Sequence, residues 1–175
     1  MVIAAVILAA GAGSRFGGAK QELLLPEVLR RVRESCVDEI LVVSGAHPLE
    51  TDARVVNCPD WALGPGVSLR FGLETLAAKV DAAVVVLADG PDLSPAAVDR
   101  VVAAWREGSG EVFAASYDGV RGHPVVLARS VWDRIPAEGA RALPPVLVPC
   151  DDLGSPGDVD LADELPGRLR EETAE

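Results

Sequence analysis

Seven consecutive residues near the start, Val2, Ile3, Ala4, Ala5, Val6, Ile7 and Leu8, carry no polar side chain, and a turn rich in glycine follows at once. An apolar run without alternation belongs to a strand covered on both faces, as in a parallel sheet whose crossover helices lie above and below it. The pattern returns at residues 39–44 and 82–87. Between these runs, Val28, Leu29 and Val32 stand at helical spacing within residues 28–36, as do Leu69, Leu73 and Leu76 within residues 66–78. The order is strand, helix, strand, helix, strand.

Ser94-Pro95 opens a further helix, with Ser able to cap the first amides and Pro tolerated at the first helical position. Its apolar positions Val98, Val101, Val102 and Trp105 run to a stop at Gly108-Ser109-Gly110. Strands are expected at residues 112–116, 124–127 and 146–148, a short helix at 130–135 and a last helix at 161–169, with fraying from about residue 168. The 175 residues suffice for one core, so a single domain spanning residues 1–175 is expected. Its fold class is α/β, a three-layer α/β/α arrangement around a mostly parallel sheet, in which ligands bind beyond the carboxyl ends of the strands.

Charge narrows the partners. Sixteen basic residues against twenty-seven acidic ones leave a net charge of -11, which excludes a binder that tracks a nucleic-acid backbone. A phosphate-bearing partner must therefore be small and met by a local cationic site. No apolar stretch has the length of a membrane span and no secretory leader is visible, so the expected location is the cytoplasm, away from any membrane. Cys36, Cys58 and Cys150 match neither a disulfide framework nor a zinc pattern and are expected as buried free thiols.

The turn reads Ala9-Ala10-Gly11-Ala12-Gly13-Ser14-Arg15-Phe16-Gly17-Gly18-Ala19-Lys20. Small residues let backbone amides approach phosphate oxygens, and Arg15 and Lys20 add full positive charge. It lacks the Gly-Lys-Ser/Thr of a Walker loop, and the third glycine of a dinucleotide fingerprint would fall on Phe16. The full string reads as a triphosphate cradle, against the plainer alternative of a flexible glycine turn with Arg15 and Lys20 solvated.

The string Leu8-Ala9-Ala10-Gly11 through Arg15-Phe16-Gly17 to Lys20 resembles the signature of the MobA-like nucleotidyltransferases, in the branch of the molybdenum cofactor cytidylyltransferases. The resemblance runs from Val2 to about Leu165 and implies a Rossmann-like, GT-A-like nucleotidyltransferase fold. It assigns nucleotide binding to Leu8, Ala9, Ala10, Gly11, Gly13 and Ser14, and places Arg15 and Lys20 on the triphosphate. Ala88-Asp89-Gly90-Pro91 is similar to the family's Ala-Asp-Gln-Pro, with Gly90 in place of Gln, and makes Asp89 a catalytic ligand of Mg²⁺, a cation that takes one or two carboxylates. Gly157-Asp158-Val159-Asp160 is similar to a later family motif that makes Asp160 the second metal ligand; in an extended segment Asp158 would point the same way. The loop from Asn57 to Leu69 resembles the one that closes on the base, through Gly64, Gly66 and Ser68. Gly122-His123-Pro124 matches the element beside the acceptor, while His47 is read as an ordinary loop residue.

The implied activity is transfer of a nucleoside monophosphate from an NTP, with CTP favoured, to a phosphorylated acceptor such as molybdopterin cofactor, with release of pyrophosphate. A phosphate monoester has a second pKa of about 6 and needs no general base. A molybdoenzyme or its chaperone is a further implied partner. One departure is the passage from Leu24-Leu25-Pro26 straight into Glu27-Val28-Leu29, shorter than the connection relatives carry. It leaves open an inactive nucleotide-binding regulator or carrier, and because relatives share the first motif, a second alternative is an enzyme of the same class acting on a sugar phosphate or another phosphorylated metabolite.

Overall fold

In a computed structural model, residues 1–13 and 20–170 are described. Seven strands form one sheet: β1 (Val2–Ala9), β2 (Glu39–Ser44), β3 (Arg54–Asn57), β4 (Val80–Leu87), β5 (Val112–Tyr117), β6 (Val120–Ala128) and β7 (Val146–Pro149), in the order β3-β2-β1-β4-β6-β5-β7. β6 is antiparallel to both neighbours, and every other adjacent pair is parallel. The helices are α1 (Lys20–Arg33), α2 (Pro65–Glu74), α3 (Pro95–Glu107) and the short α4 (Gly167–Arg170).

The period of two along β1 builds the layers. Ile3, Ala5 and Ile7 pack with Val28, Leu29 and Val32 of α1 and Val98, Val101 and Val102 of α3. Ala4 and Val6 face the other way, into a cluster with Leu69 and Leu73 of α2 and with Val131 and Trp132. A third, small cluster of Leu24, Val159, Leu165 and Leu169 ties the end of the chain to α1. The expected three-layer arrangement is present.

Several local expectations are corrected. α1 begins at Lys20 rather than near residue 28, with Pro26 inside it, so the separate connection expected before Glu27 does not exist. Pro26 removes one i→i−4 hydrogen bond, but Leu24, Leu25, Val28 and Leu29 around it are buried, and that packing outweighs the loss. The Ser94 hydroxyl makes no cap bond; the Ser94 carbonyl instead accepts from Ala97 N at 3.0 Å. The segment at 130–135 is 3₁₀ turns over Arg129–Arg134. The helix expected at 161–169 is a 3₁₀ turn, Ala162–Glu164, followed by α4, because Pro166 biases Leu165 away from helical geometry. α2 stops at Glu74 rather than continuing to residue 78. Cys58 and Cys150 are buried, whereas Cys36 is exposed just beyond α1. β3 is short and half-covered at an edge, and its sequence offers only Val55 and Val56 as apolar signal. No described helix is long and apolar enough to cross a membrane.

Candidate active site

Asp89 stands just past β4, where Ala88 N donates to Leu8 O at 3.0 Å and carries the β1–β4 pairing into the turn. Two backbone hydrogen bonds then fasten the late segment to this turn: Val159 N to Asp89 O at 3.0 Å and Asp92 N to Pro156 O at 2.8 Å. Gly90 makes the close approach possible, since a Cβ there would stand 3.0 Å from Pro156 Cβ. The glycine in place of the family's Gln thus has a packing reason in this chain.

Lys20, the first residue of α1, reaches into the junction. Its Nζ donates to Asp89 Oδ2 at 3.0 Å, to Val159 O at 2.8 Å and to Asp160 Oδ1 at 3.4 Å. The residue is 7% exposed, so the ammonium is nearly desolvated and its partners are strong ones. Asp160 is free for this because Glu164 performs the local capping: its Oε2 accepts from Asp160 N at 2.8 Å and Leu161 N at 2.9 Å. The two carboxylates expected to share a cation do converge on one, and the cation here is Lys20.

These groups line a cleft of about 440 Å³ together with Leu8, Ala10, Gly11 and Gly13. Ala9 belongs to the buried core of β1. Ser14 and Arg15 lie outside the described residues. Among the described residues, Gln21 Oε1, Ser68 Oγ and Asp89 Oδ1 are buried side-chain atoms without a hydrogen-bond partner, and all three belong to residues of this cleft. Orphaned buried polar atoms are costly and point to a partner that arrives with a ligand, ion or water. No group of three or more His, Cys, Asp or Glu able to hold a metal occurs among the described residues. The donor set is thus two carboxylates, which suits an Mg²⁺ that keeps its other places for water and phosphate, and the unpartnered Asp89 Oδ1 fits such an ion.

The loop expected at the base is only partly a wall of the cleft. Gly64 lines it, beside Trp61. Gly66 does not: a Cβ there would come within 1.8 Å of Pro136 O, and Gly66 N donates to Ala137 O at 2.9 Å, so the missing side chain admits the 136–139 segment rather than a ligand. Ser68 sits within α2, not at its cap, and is buried.

A second cavity of about 640 Å³ adjoins the first, sharing Leu8, Pro65 and Leu87. Gly122 and His123 line it as expected for an acceptor element, but Pro124 is buried in β6 and does not. Arg121 anchors its far wall, donating to Leu143 O at 2.8 Å, Ala140 O at 3.0 Å and Arg141 O at 3.1 Å. Tyr117 Oη donates to His123 O at 2.9 Å. Burial, with the charge of Arg121 next, pushes His123 down to about 4, and burial pushes Tyr117 up to about 12. Asp158 lines this second cavity and Asp160 the first, in a segment that is no strand, so the two carboxylates open on different cavities while remaining near enough for their charges to interact. Burial, then the charges of Asp89 and Asp160, hold the Asp158 carboxyl above its usual value.

Sequence reasoning missed Gln21, whose Nε2 donates to Gly11 O at 2.9 Å and braces the glycine turn from α1. It also missed Trp61, which lines the cleft, and the bracing role of His47, whose Nε2 lies 2.8 Å from Ala12 O. A polar residue directly after Lys20 in an otherwise apolar helix face was the available signal for Gln21, and the place of Trp61 in the Asn57 to Leu69 loop was the signal for it; His47 carried none above an ordinary loop.

Residues 5–147 match the family described as MobA-like NTP transferase domain. A relative, nicotine blue oxidoreductase of Paenarthrobacter nicotinovorans, is 32% identical over 148 residues, covering 71% of this chain and 70% of its own. Among solved structures, Rv0371c of Mycobacterium tuberculosis is 26% identical, with 94% of this chain and 96% of that one covered and a TM-score of 0.74. The same protein in complex with manganese is 25% identical, over 94% and 96% of the two chains, with a TM-score of 0.72.

Proposed function

The chain belongs to the MobA-like NTP transferase family, and on that premise we propose that it moves a nucleoside monophosphate from an NTP, with CTP favoured, to a small phosphorylated acceptor such as molybdopterin cofactor. The observation that carries the reading is the convergence of Asp89 and Asp160 on one cation position in the first cleft, which a second cavity adjoins. The first cleft takes the nucleotide and the second the acceptor.

In this mechanism the backbone of Gly11 and Gly13 lies along the phosphates, and Trp61 offers its ring to the base. Arg15 and Lys20 neutralise the triphosphate as the acceptor phosphate attacks the α-phosphorus in line and pyrophosphate departs. Asp89 and Asp160 would hold Mg²⁺, which when bound supplies charge neutralisation on the phosphoryl oxygens. His123, with a pKa of about 4, is too weak a base at neutral pH to take a proton, which agrees with a nucleophile that arrives ionised. Gly122 and His123 shape the acceptor cavity.

The test is pyrophosphate release across CTP, GTP, ATP and UTP with a panel of phosphorylated acceptors and Mg²⁺ or Mn²⁺. Release with at least one pair, lost in Asp89→Asn, supports the transferase. Tight NTP binding with no release from any pair supports a carrier or regulator instead. The relative named as an oxidoreductase favours a second reading, a redox conversion in the same cleft, which the same assay rejects when pyrophosphate appears in step with product.

A further inference from the structure

Lys20 Nζ fills the point on which Asp89 Oδ2, Asp160 Oδ1 and Val159 O converge, at 3.0, 3.4 and 2.8 Å. A divalent ion on the same two carboxylates would sit roughly 2.1 Å from their oxygens and so within a few ångströms of the ammonium. Two cations that close repel, and the buried ammonium, unlike the half-exposed Asp160, has little water of its own to screen it. Even an ion that lands on the unpartnered Asp89 Oδ1 would share that carboxylate with the ammonium on Oδ2, so each cation weakens the other's hold on the pair. Nor does the ammonium leave freely: the residue is 7% exposed, and its three acceptors are all inside this nest. What draws it out has to be another dense anion in the same cleft.

We propose that Lys20 is a placeholder for the metal, keeping Asp89 and Asp160 converged but unavailable until a triphosphate attracts its ammonium, so that the divalent ion loads with the nucleotide rather than before it. The inference rests on the metal role of the two carboxylates in the proposed function and adds an order of events to it. Lys20 acts here as a positioning residue, through the two carboxylates.

Two experiments on the full chain test it without turnover. Free Mn²⁺ is measured by its EPR signal during titration of wild type, Lys20→Met and Lys20→Arg in the absence of nucleotide. Lys20→Met should bind Mn²⁺ at least tenfold more tightly than wild type, and Lys20→Arg should stay as weak as wild type. The second experiment needs no variant. The chain has only two lysines, Lys20 and Lys79, so ¹⁵N-lysine labelling gives two side-chain signals, with the exposed Lys79 as internal control. Mg²⁺ alone at low millimolar concentration should leave the Lys20 signal in place, and Mg²⁺ with CTP, or with whichever NTP binds, should move it while Lys79 stays.

Equal Mn²⁺ affinity of wild type and Lys20→Met overturns the placeholder and leaves the metal role standing, as does a Lys20 signal released by Mg²⁺ alone at the same concentration as with nucleotide. No Mn²⁺ binding to any of the three proteins overturns both the placeholder and the metal role. Pyrophosphate release, read separately, tells whether the transferase itself survives.

Discussion

The two cavities share Leu8, Pro65 and Leu87 yet are built from opposite materials. The cleft above β1 and β4 gathers full charges, Lys20 with Asp89 and Asp160, on backbone fixed by strand pairing and by the hydrogen bonds from Val159 N and Asp92 N. The cavity beside β5 and β6 holds two neutral rings, with His123 at about 4 and Tyr117 at about 12, and fixes Arg121 on carbonyls rather than carboxylates. In the proposed function the first region takes the triphosphate and its cation and the second takes the acceptor.

The contrast is broken most severely at Asp89. Asp89→Asn should lower pyrophosphate release by about 10³-fold or more, a size typical for a group acting on charge in the transition state, while circular dichroism shows the fold retained. Unchanged release would remove the first cleft from the chemistry.

On the acceptor side, His123 gives a pH signature. Its folded pKa of about 4 lies below the unfolded 6.5, so the unfolded chain binds the proton first as pH falls. The associated stability is fully present above pH 6.5 and is lost on the way down to about pH 4, by up to about 3 kcal/mol. Urea denaturation at pH 7 and pH 4.5 should show a steeper loss in wild type than in His123→Gln; parallel losses would mean the ring is not held neutral.

Arg121→Met strips three carbonyls of their donor and should cost about 2 kcal/mol in urea denaturation. It should raise the acceptor KM with little effect on NTP affinity. Equal effects on both substrates would show that the two cavities are not separate in function. The smallest effect is expected for Gly90→Gln, which restores the residue usual in the family against Pro156. A Cβ contact of 3.0 Å should cost about 1 kcal/mol, seen as a modest fall in Tm, and loosen the 156–160 segment from the Asp89 turn.

Much of the first cleft was legible because its parts are local in sequence. The apolar run of β1 fixes a strand, the glycines fix the turn, and Asp89 follows the apolar run of β4 directly. What joins them was not legible. That Lys20 would seat on Asp160, 140 residues away, depends on Leu24 packing with Val159, Leu165 and Leu169, a contact with no periodic signal. α1 was read short because Pro26 marks a boundary in local terms, and burial of Leu24 and Leu25 overrides it. In the second cavity, Gly122 and His123 carried a motif, but Arg121, Tyr117 and the 136–141 segment meet only through the sheet order. Gly66 was read as a ligand contact because a glycine needed for backbone packing looks the same in sequence as one needed for a base.

The central claim is that one NTP with a divalent ion binds the first cleft through Asp89. The most direct measurement is the melting temperature of wild type and Asp89→Asn with CTP, GTP, ATP or UTP in the presence of Mg²⁺. At about 100-fold excess over Kd, binding stabilises the folded state by about 2.7 kcal/mol. For a chain of this size that is a rise of roughly 5–10 °C in wild type with at least one nucleotide, which should be largely lost in the variant. Identical melting temperatures with all four nucleotides, or a rise that Asp89→Asn leaves intact, would contradict the account.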